Sequence, residues 1–367
     1  MFQKFCENSF LISYSTFCKL KPFWVITRHV SDRDTCICIR HENILLVCQQ
    51  LKNLNIFEKA HPDELIESKM CCLQVTIPCL LRRCQSCKYK INNLQTEEFD
   101  PNKESYYDIW QSKMIMGSDK KMHRRTVKDR VPCKVKEIVE KFFHLLPSYM
   151  THLALFRHQF TTMKDLKGRL GPKDLLVHID FSENYECKYS REIVVCHFGG
   201  NKTQISIHTG VLYTDGKKVC FATVTQERKH DPAAIFMHLL PILSQYSEAI
   251  ENLHFLSDSP ATQYRNQYMF YLISQKIVPL FKHLRTLSWN FSEAGHGKGA
   301  PDGVRAVIKR TCDQVVAGNQ DISNFQQFYN AIVTKVKGVQ IHSVSGRSDE
   351  MEKEMKANAK PIKSESS

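Results

Sequence analysis

The chain has 367 residues, of which 42% are hydrophobic and 24% charged, and it carries a formal net charge of +13. This length and composition predict one to three globular domains and exclude a largely disordered chain. No apolar run reaches the roughly 18 residues of a membrane span, and no stretch resembles a secretory signal. The positive charge favours a polyanionic partner, of which nucleic acid is the commonest, over a basic protein without one.

Residues 1–90 form a cysteine-rich region, because ten of the 15 cysteines lie there. Without an oxidising compartment, such a cluster indicates metal ligands or buried thiols rather than disulfides. A CxxC pair suits one half of a tetrahedral zinc site, although about forty residues separate it from the other half. Adjacent Cys71 and Cys72 are not both expected to be ligands. The candidate zinc ligands are Cys36, Cys38 and His41 in one half, and Cys84 and Cys87 in the other.

Residues 91–171 are predicted to be a basic linker followed by a helical segment. Residues 120–136 contain eight Lys or Arg residues and only one acid, Asp129. Such a run, with Arg124 and Arg125 at its centre, indicates DNA contact or a solvated linker. Apolar residues three and four apart then predict an amphipathic helix that ends before Pro147, and a second helix through Phe160.

Residues 172–340 alternate strand-like and helix-like patterns, and residues 341–367, which are rich in Ser, Lys and Glu, are predicted to be a disordered tail. Asp231 and Pro232 mark the N-cap and first position of the first core helix. The resulting order, β-β-β-α-β-α-β-α, is that of an RNase H-like α/β fold with a mixed sheet. The predicted strands are 175–180, 203–213, 219–225, 253–258 and 286–291, with helices starting near 232, 268 and 301.

Acidic residues fall at the ends of two predicted strands, which should be neighbours in the sheet. Asp180 ends the first strand and Asp258 the fourth, and ligand sites form beyond the carboxyl ends of such strands. Two carboxylates placed together call for a hard divalent cation, Mg²⁺ or Mn²⁺, which would support phosphodiester chemistry. Asp302, at a helix start, and Glu293, after the fifth strand, are alternative third acids. Each acid taken singly could also be a helix cap or face solvent.

Basic residues surround the predicted start of the last helix. His296 could transfer a proton or contact a phosphate. The cationic side chains there could bind a nucleic-acid backbone, or could form a solvated helix face. These cations are Lys298, Arg305, Lys309 and Arg310.

Three stretches, 178–185 (HIDFSENY), 257–266 (SDSPATQYRN) and 289–303 (WNFSEAGHGKGAPDG), together carry a family resemblance. They resemble a group of uncharacterised animal proteins that look like transposable-element transposases with a DDE/D nuclease core. The resemblance covers residues 172–320 well and the cysteine-rich region more weakly. Ser259 and Arg305 depart from the glycines of that pattern.

The resemblance implies that Asp180, Asp258 and either Asp302 or Glu293 are the metal-binding catalytic acids. The implied activity is metal-dependent DNA cleavage and strand transfer, with DNA as partner, a nuclear location and a homo-oligomer. The departures leave open a decayed or domesticated protein that binds DNA without catalysis. A resolvase-like nuclease would share the site and differ in substrate.

Overall fold

The structure is a computed structural model that describes residues 37–90, 98–181, 183–195, 202–293, 299–345 and 349–360. Cys36, His296 and Lys298, which the sequence singled out, lie outside these residues. Within the described ranges, no helix combines the length and apolarity that crossing a membrane requires.

The described part of the cysteine-rich region consists of helices joined by turns. Helix α1 spans Ile39–Asn53, and α2 spans Pro62–Leu65 and continues as a π-helical turn to Met70. The short helix α3 spans Ile77–Leu80. Their apolar side chains form one buried cluster with those of the long helix that follows.

The segment predicted to be a basic linker is instead a long β-hairpin. Strand β1, Glu104–Met116, pairs antiparallel with β2, Met122–Lys134, over thirteen residues each. Most side chains of both strands are at least partly exposed, and burial alternates only along part of β2, from Val127 to Cys133. Because the apolar alternation is not sustained, the cross-strand pairing could not be recognised from the sequence.

Helix α4, Val135–Arg169, is one continuous helix of 35 residues, so the predicted break at Pro147 is wrong. Proline in a helix interior removes one backbone hydrogen bond. The buried face nevertheless continues through that position, from Phe142 and Leu146 to Tyr149 and Leu153, against the core shared with α1 and α3. Burial of this face outweighs the local cost of the proline.

The central sheet is mixed, and the predicted core elements occur in the predicted order. Its strand order is β8-β7-β3-β5-β6-β9, with β4 paired to β5. Strands β3, β5 and β6 form an antiparallel meander, whereas β7 runs parallel to β3 and β8 runs parallel to β7. The strands are β3 Asp174–Phe181, β4 Tyr185–Glu186, β5 Gln204–Thr214, β6 Lys217–Thr225, β7 Asn252–Ser257, β8 Thr286–Phe291 and β9 Val339–Ser343.

Helices cover both faces of this sheet and create two separate apolar cores. One core lies under α5, Pro232–Leu243, and α6, Gln267–Leu272. The other lies under α7, Ala300–Ala317, and α8, Phe325–Lys335. The predicted N-cap of α5 is confirmed, because the Asp231 carboxylate accepts a hydrogen bond of 2.9 Å from the Ala234 backbone N–H.

The segment predicted to be a disordered tail contains regular structure. Strand β9 adds to the sheet in parallel with β6, and helix α9, Asp349–Asn358, follows. Met355 is 2% exposed and belongs to the core under α5 and α6. Lys229 also donates to Asp349 and Glu352, at 2.7 Å each. Few apolar side chains anchor this otherwise polar helix, and composition alone therefore suggested disorder.

Candidate functional site

Two acids lie side by side at the carboxyl ends of the two central parallel strands. Asp180 is the penultimate residue of β3, and Asp258 directly follows β7. The register pairs His178 of β3 with Leu256 of β7, so both acids lie two residues beyond the same pair. Both side chains are partly buried.

Asp302 joins these acids from the first turn of α7. Its carboxylate accepts a 2.8 Å hydrogen bond from the Gly299 N–H. The start of α7 is fixed to the sheet because the Thr209 hydroxyl of β5 donates to the Pro301 carbonyl at 3.1 Å. A Cβ at Gly299 would lie 2.6 Å from the His178 ring, so only glycine allows this close approach. We call Asp180, Asp258 and Asp302 the acid cluster.

The electrostatics of the acid cluster favour a proton or a cation. Burial, followed by the charges of Asp258 and Asp302, raises the pKa of Asp180 to about 7. Burial and the charge of Asp302 raise the pKa of Asp258 to about 6. The Asp258 Oδ1 atom is buried and makes no hydrogen bond with a described residue. Like charges in a partly buried site raise carboxylate pKa values in this way unless a cation compensates them.

Arg305 supplies one compensating charge. Its guanidinium lies 2.9 Å from Asp302 Oδ1, and its charge lowers the pKa of Asp180 against the larger opposing effects. Among the described residues, only two groups bring three or more potential ligand atoms within 4.8 Å of one another, and the acid cluster is not one of them. The three acids are therefore close enough for their charges to interact but do not form a compact ligand group.

Glu293, the alternative third acid, takes part in a different set of contacts. Its carboxylate lies 2.9 Å from His152 Nδ1 on α4 and 3.9 Å from Arg40. Its backbone N–H donates to Gln159 at 2.7 Å. Of the two candidates, Asp302 and not Glu293 contributes charge to the acid cluster.

A cavity of about 760 Å³ lies between α4 and the edge of the sheet. None of the three acids lines it, but His178, two residues before Asp180 on the same face of β3, and Gly299, at the start of α7, do. Burial lowers the pKa of His178 to about 4. The lining combines cations with aromatic rings, namely Lys164, Lys167, Arg265, Phe160, Trp289 and Phe291. No local pattern in the sequence predicts this cavity, although the alternation in β3 places His178 and Asp180 on one face.

The predicted nucleic-acid-binding cations occupy different places. Lys309 is half-buried, and its amine donates to the Asn184 carbonyl at 3.4 Å; burial, then the charge of Arg305, lowers its pKa. Arg310, one residue further along α7, is exposed. Arg124 and Arg125 are exposed on β2 of the hairpin.

Four cysteines form one of the two compact ligand groups, which we call the cysteine cluster. The ligand atoms of Cys72, Cys79, Cys84 and Cys87 all lie within 4.8 Å of one another. The partners predicted for Cys84 and Cys87 were therefore wrong, because Cys38 and His41 belong to the other compact group. The prediction paired neighbouring motifs along the chain. In the structure, the turn after α3 returns the CxxC pair to Cys79 of α3, and Cys72, which follows the π-helical turn before α3, completes the group.

The thiols of the cysteine cluster have different acidities. Burial raises the pKa of Cys79, but hydrogen bonds from Thr76 and Cys87 outweigh it and bring the pKa to about 6. Burial and the neighbouring thiols raise the pKa of Cys87 to about 12. Four thiolates at this distance require a cation, and tetrahedral zinc is the usual one. The cluster could therefore bind zinc.

The second compact group joins helices α1 and α4. It consists of Cys38, His41 and His152, whose ligand atoms also lie within 4.8 Å of one another. Cys38 and His41 were among the predicted zinc ligands, whereas His152 lies in a segment whose pattern predicts only a helix. We call this group the Cys38 cluster.

Comparison with curated proteins finds no match. Residues 159–365, more than half of the chain, match a family model described as a domain of unknown function (DUF8701). The matched range contains the whole acid cluster and excludes the cysteine cluster. The chain therefore belongs to the DUF8701 family.

Proposed function

We propose that this protein is a transposase-like enzyme that cleaves DNA and transfers strands with divalent metal ions. The observation that carries the proposal is the acid cluster. Three acids, from β3, the end of β7 and the start of α7, lie near one another at the same end of the sheet without forming a compact ligand group. The pKa values of Asp180 and Asp258 are raised by burial and by neighbouring acids.

The sheet topology supports the same proposal. An antiparallel meander followed by two parallel strands on its other side, in the order β8-β7-β3-β5-β6, is the arrangement expected of an RNase H-like core. In such a sheet the ends of β3 and β7 lie where a substrate can reach both. Strand β9 extends this arrangement at its far edge, next to β6 and away from β3 and β7.

The donor set fits Mg²⁺ or Mn²⁺. Both ions prefer carboxylate oxygens, and the Asp258 Oδ1 atom offers a buried acceptor. Asp180, Asp258 and Asp302 would hold such ions, and the bound metal would supply activation of a water or a 3′-hydroxyl and stabilisation of the leaving oxygen. Sites of this class can use two ions, so the three carboxylates need not form one compact ligand group.

Cations and aromatic rings near the acid cluster suit a nucleic-acid substrate. Lys164, Lys167 and Arg265 line the adjacent cavity and would neutralise phosphates. Trp289 and Phe291 in the same cavity offer surfaces on which bases could stack. The exposed hairpin, with Arg124 and Arg125, adds a second basic surface that would contact a DNA backbone. A DNA substrate would place the protein in the nucleus.

We further propose that zinc in the cysteine cluster is structural. Four cysteine ligands leave no open position for a substrate, which is typical of a structural site. Helices α2 and α3 span only four residues each and contribute little helical stability of their own. A bound metal would fix the turns between them.

A second candidate function is a DNA-binding protein that has lost catalysis. The ion pair between Arg305 and Asp302, at 2.9 Å, favours this alternative. An arginine in that position competes with a metal ion for the third carboxylate. The protein would then keep its fold and its basic surfaces without cleaving DNA.

Nicking of supercoiled plasmid by the full-length protein in Mn²⁺ tests the proposal. We expect the parent to nick, and Asp180→Asn and Asp258→Asn to lose about 1000-fold or more in rate, since metal stabilisation of the transition state is worth several kcal/mol. Asp165→Asn, an exposed acid on α4, is the matched control and should cleave normally.

The parent's behaviour separates the two candidate functions. A parent that binds DNA but never nicks contradicts the enzyme and supports the inactive DNA-binding protein. Nicking gained by Arg305→Ala alone would identify the arginine as the cause of lost activity. Equal nicking by the parent and both acid variants would contradict the assignment of the acid cluster.

A further inference from the structure

We propose that the Cys38 cluster is a second metal site, separate from the cysteine cluster, with Cys38, His41 and His152 as ligands of a zinc-class ion. Glu293 is the carboxylate that orients His152. This inference does not depend on the proposed nuclease activity. Glu293, which the sequence predicted as an alternative third acid beside Asp180 and Asp258, would instead support the Cys38 cluster.

The spacing of the candidate ligand atoms is close to that of a zinc site. Cys38 Sγ lies 3.2 Å from His152 Nε2, and a ring nitrogen of His41 lies within 4.8 Å of Cys38 Sγ and of a ring nitrogen of His152. Bond lengths of 2.3 Å to sulfur and 2.0–2.1 Å to nitrogen place such ligand atoms about 3.6 Å apart in a tetrahedral site. Cys38 Sγ and His152 Nε2 would therefore move apart by a few tenths of an ångström to hold an ion between them.

The three ligands come from two rigid elements. Cys38 is the N-cap residue of α1, and His41 lies one helical turn further on. His152 projects from α4 and is fully buried, while Cys38 is 7% exposed. The His41 ring packs edge-on against His152 and Tyr149, with centroids 5.0 and 5.1 Å away. These contacts fix the rings before any metal binds.

Glu293 determines which nitrogen of His152 faces the cluster. Its carboxylate accepts a 2.9 Å hydrogen bond from Nδ1, so Nε2, next to Cys38, keeps its lone pair. Metal-binding histidines commonly donate their other ring N–H to a carboxylate in this way. Gln159 holds Glu293 in place, since its side chain accepts from the Glu293 N–H at 2.7 Å and donates to the Phe291 carbonyl at 3.1 Å.

A simple hydrogen bond between thiol and imidazole is the alternative explanation for the short contact of Cys38 with His152. That hydrogen bond does not explain why a ring nitrogen of His41 also lies within 4.8 Å of Cys38 Sγ and a ring nitrogen of His152. Nor does it explain why the Glu293 carboxylate accepts a hydrogen bond from the other nitrogen of His152. A metal accounts for all four groups. It would join α1, α4 and the segment after β8, and so would link the cysteine-rich region to the edge of the sheet that carries the acid cluster.

Elemental analysis of the full-length protein, purified with zinc and passed through a mild chelator, tests this proposal. We expect two zinc ions per chain. Cys38→Ala and His152→Ala should each retain one ion, held by the cysteine cluster. Cys84→Ser with Cys87→Ser should also retain one, held by the Cys38 cluster. Cys48→Ala, which alters a buried cysteine of α1 outside the cluster, is the matched control and should retain two.

Glu293→Gln provides a second test that does not require removal of a ligand. It should keep two zinc ions at saturation but lose 10- to 100-fold in affinity for one of them in a chelator competition. Cobalt substitution should show two spectroscopically distinct sites, one with a single thiolate, whose absorption Cys38→Ala removes. A zinc content that Cys38→Ala leaves unchanged from the parent, or an unchanged affinity in Glu293→Gln, would overturn the proposal. One zinc ion per parent chain that Cys38→Ala removes would instead support this site and contradict zinc in the cysteine cluster.

Discussion

The cysteine cluster and the acid cluster both gather ligand side chains, but they hold them differently. The four thiols lie within 4.8 Å of one another, among short helices and turns. The three carboxylates are held apart on a sheet and a long helix, with Arg305 in contact with one of them. The first arrangement encloses an ion on all sides, whereas the second leaves space for a substrate.

The difference between the clusters also concerns folding. The elements around the cysteine cluster are short, so a bound ion would contribute much of their stability. The acid cluster lies on elements that bury large apolar cores on both faces of the sheet. Like charges destabilise this site locally, but the sheet does not depend on them. Metal removal should therefore unfold the first region and leave the second folded.

The largest expected effect follows from loss of the cysteine cluster. Cys84→Ser with Cys87→Ser should destabilise residues 62–90 by at least about 3 kcal/mol, because metal binding and folding are coupled in small sites. Hydrogen exchange should show fast exchange in that segment and unchanged protection in β3 and β7. Cys220→Ser, a half-exposed cysteine in β6, is the control and should alter neither region. Slow exchange retained throughout 62–90 would contradict a metal-dependent module.

A smaller effect should come from the contact that places Asp302. Gly299→Ala would put a Cβ 2.6 Å from the His178 ring and should cost about 1–3 kcal/mol as α7 or the ring shifts. Gly303→Ala is the matched control in the same helix, where a Cβ meets no atom within 4 Å. It should be neutral or stabilise by up to about 1 kcal/mol through helix propensity. Chemical denaturation measures the free energy of unfolding of both variants. Equal changes would contradict the view that the close approach to His178 requires glycine at position 299.

The smallest effect should appear in the DNA-binding surface. Arg124→Ala with Arg125→Ala should weaken DNA binding and reduce the slope of log affinity against log salt by about 1 to 2, since each lost phosphate contact removes about 0.9. Lys335→Ala with Lys337→Ala changes the same charge on an exposed part of α8 and the turn after it. Fluorescence anisotropy over a range of salt concentrations compares them. Equal slopes for both double variants would show that the hairpin makes no specific contribution.

The core of the fold could be predicted from the sequence because its strands are apolar, short and bounded by turns. The acids Asp180 and Asp258 ended two such strands, and the parallel pairing that brings them together follows from the element order. Asp302 was distinguishable from Glu293 only by its place at a helix start. Glu293 accepts a hydrogen bond from His152, which lies 141 positions away in the sequence, and no local pattern predicts that contact.

The remaining features depend on contacts distant in sequence. The hairpin buries few side chains, and burial alternates only along part of β2, which is too short a signal to be recognised in the sequence. Helix α4 continues through Pro147 because the flanking turns pack in the core shared with α1 and α3. Cys72 and Cys79 join the CxxC pair because of how the chain turns before and after α3, and sequence spacing does not define those turns. Helix α9 is anchored chiefly by Met355, and one buried apolar side chain is too weak a signal to reveal a helix in a polar segment.

The most direct test of the central claim is metal binding at the acid cluster as a function of pH. Because the pKa values of Asp180 and Asp258 are raised to about 7 and 6, the folded protein holds protons that the unfolded chain releases. The stability due to the protonated acids is complete below about pH 4 and is lost as the pH rises towards 7, by up to about 1.4 kcal/mol per pH unit for each group. Mn²⁺ replaces those protons, so it should bind at pH 8 and compete poorly at pH 5.

The measurement is the shift in melting temperature caused by Mn²⁺ at pH 8 and pH 5, for the parent and for Asp180→Asn with Asp258→Asn. Asp165→Asn serves as the control for loss of an acid elsewhere. We predict a clear upward shift for the parent and the control at pH 8, a much smaller one at pH 5, and none for the double variant at either pH. An equal shift in the double variant at pH 8 would contradict the assignment of these acids as the metal site.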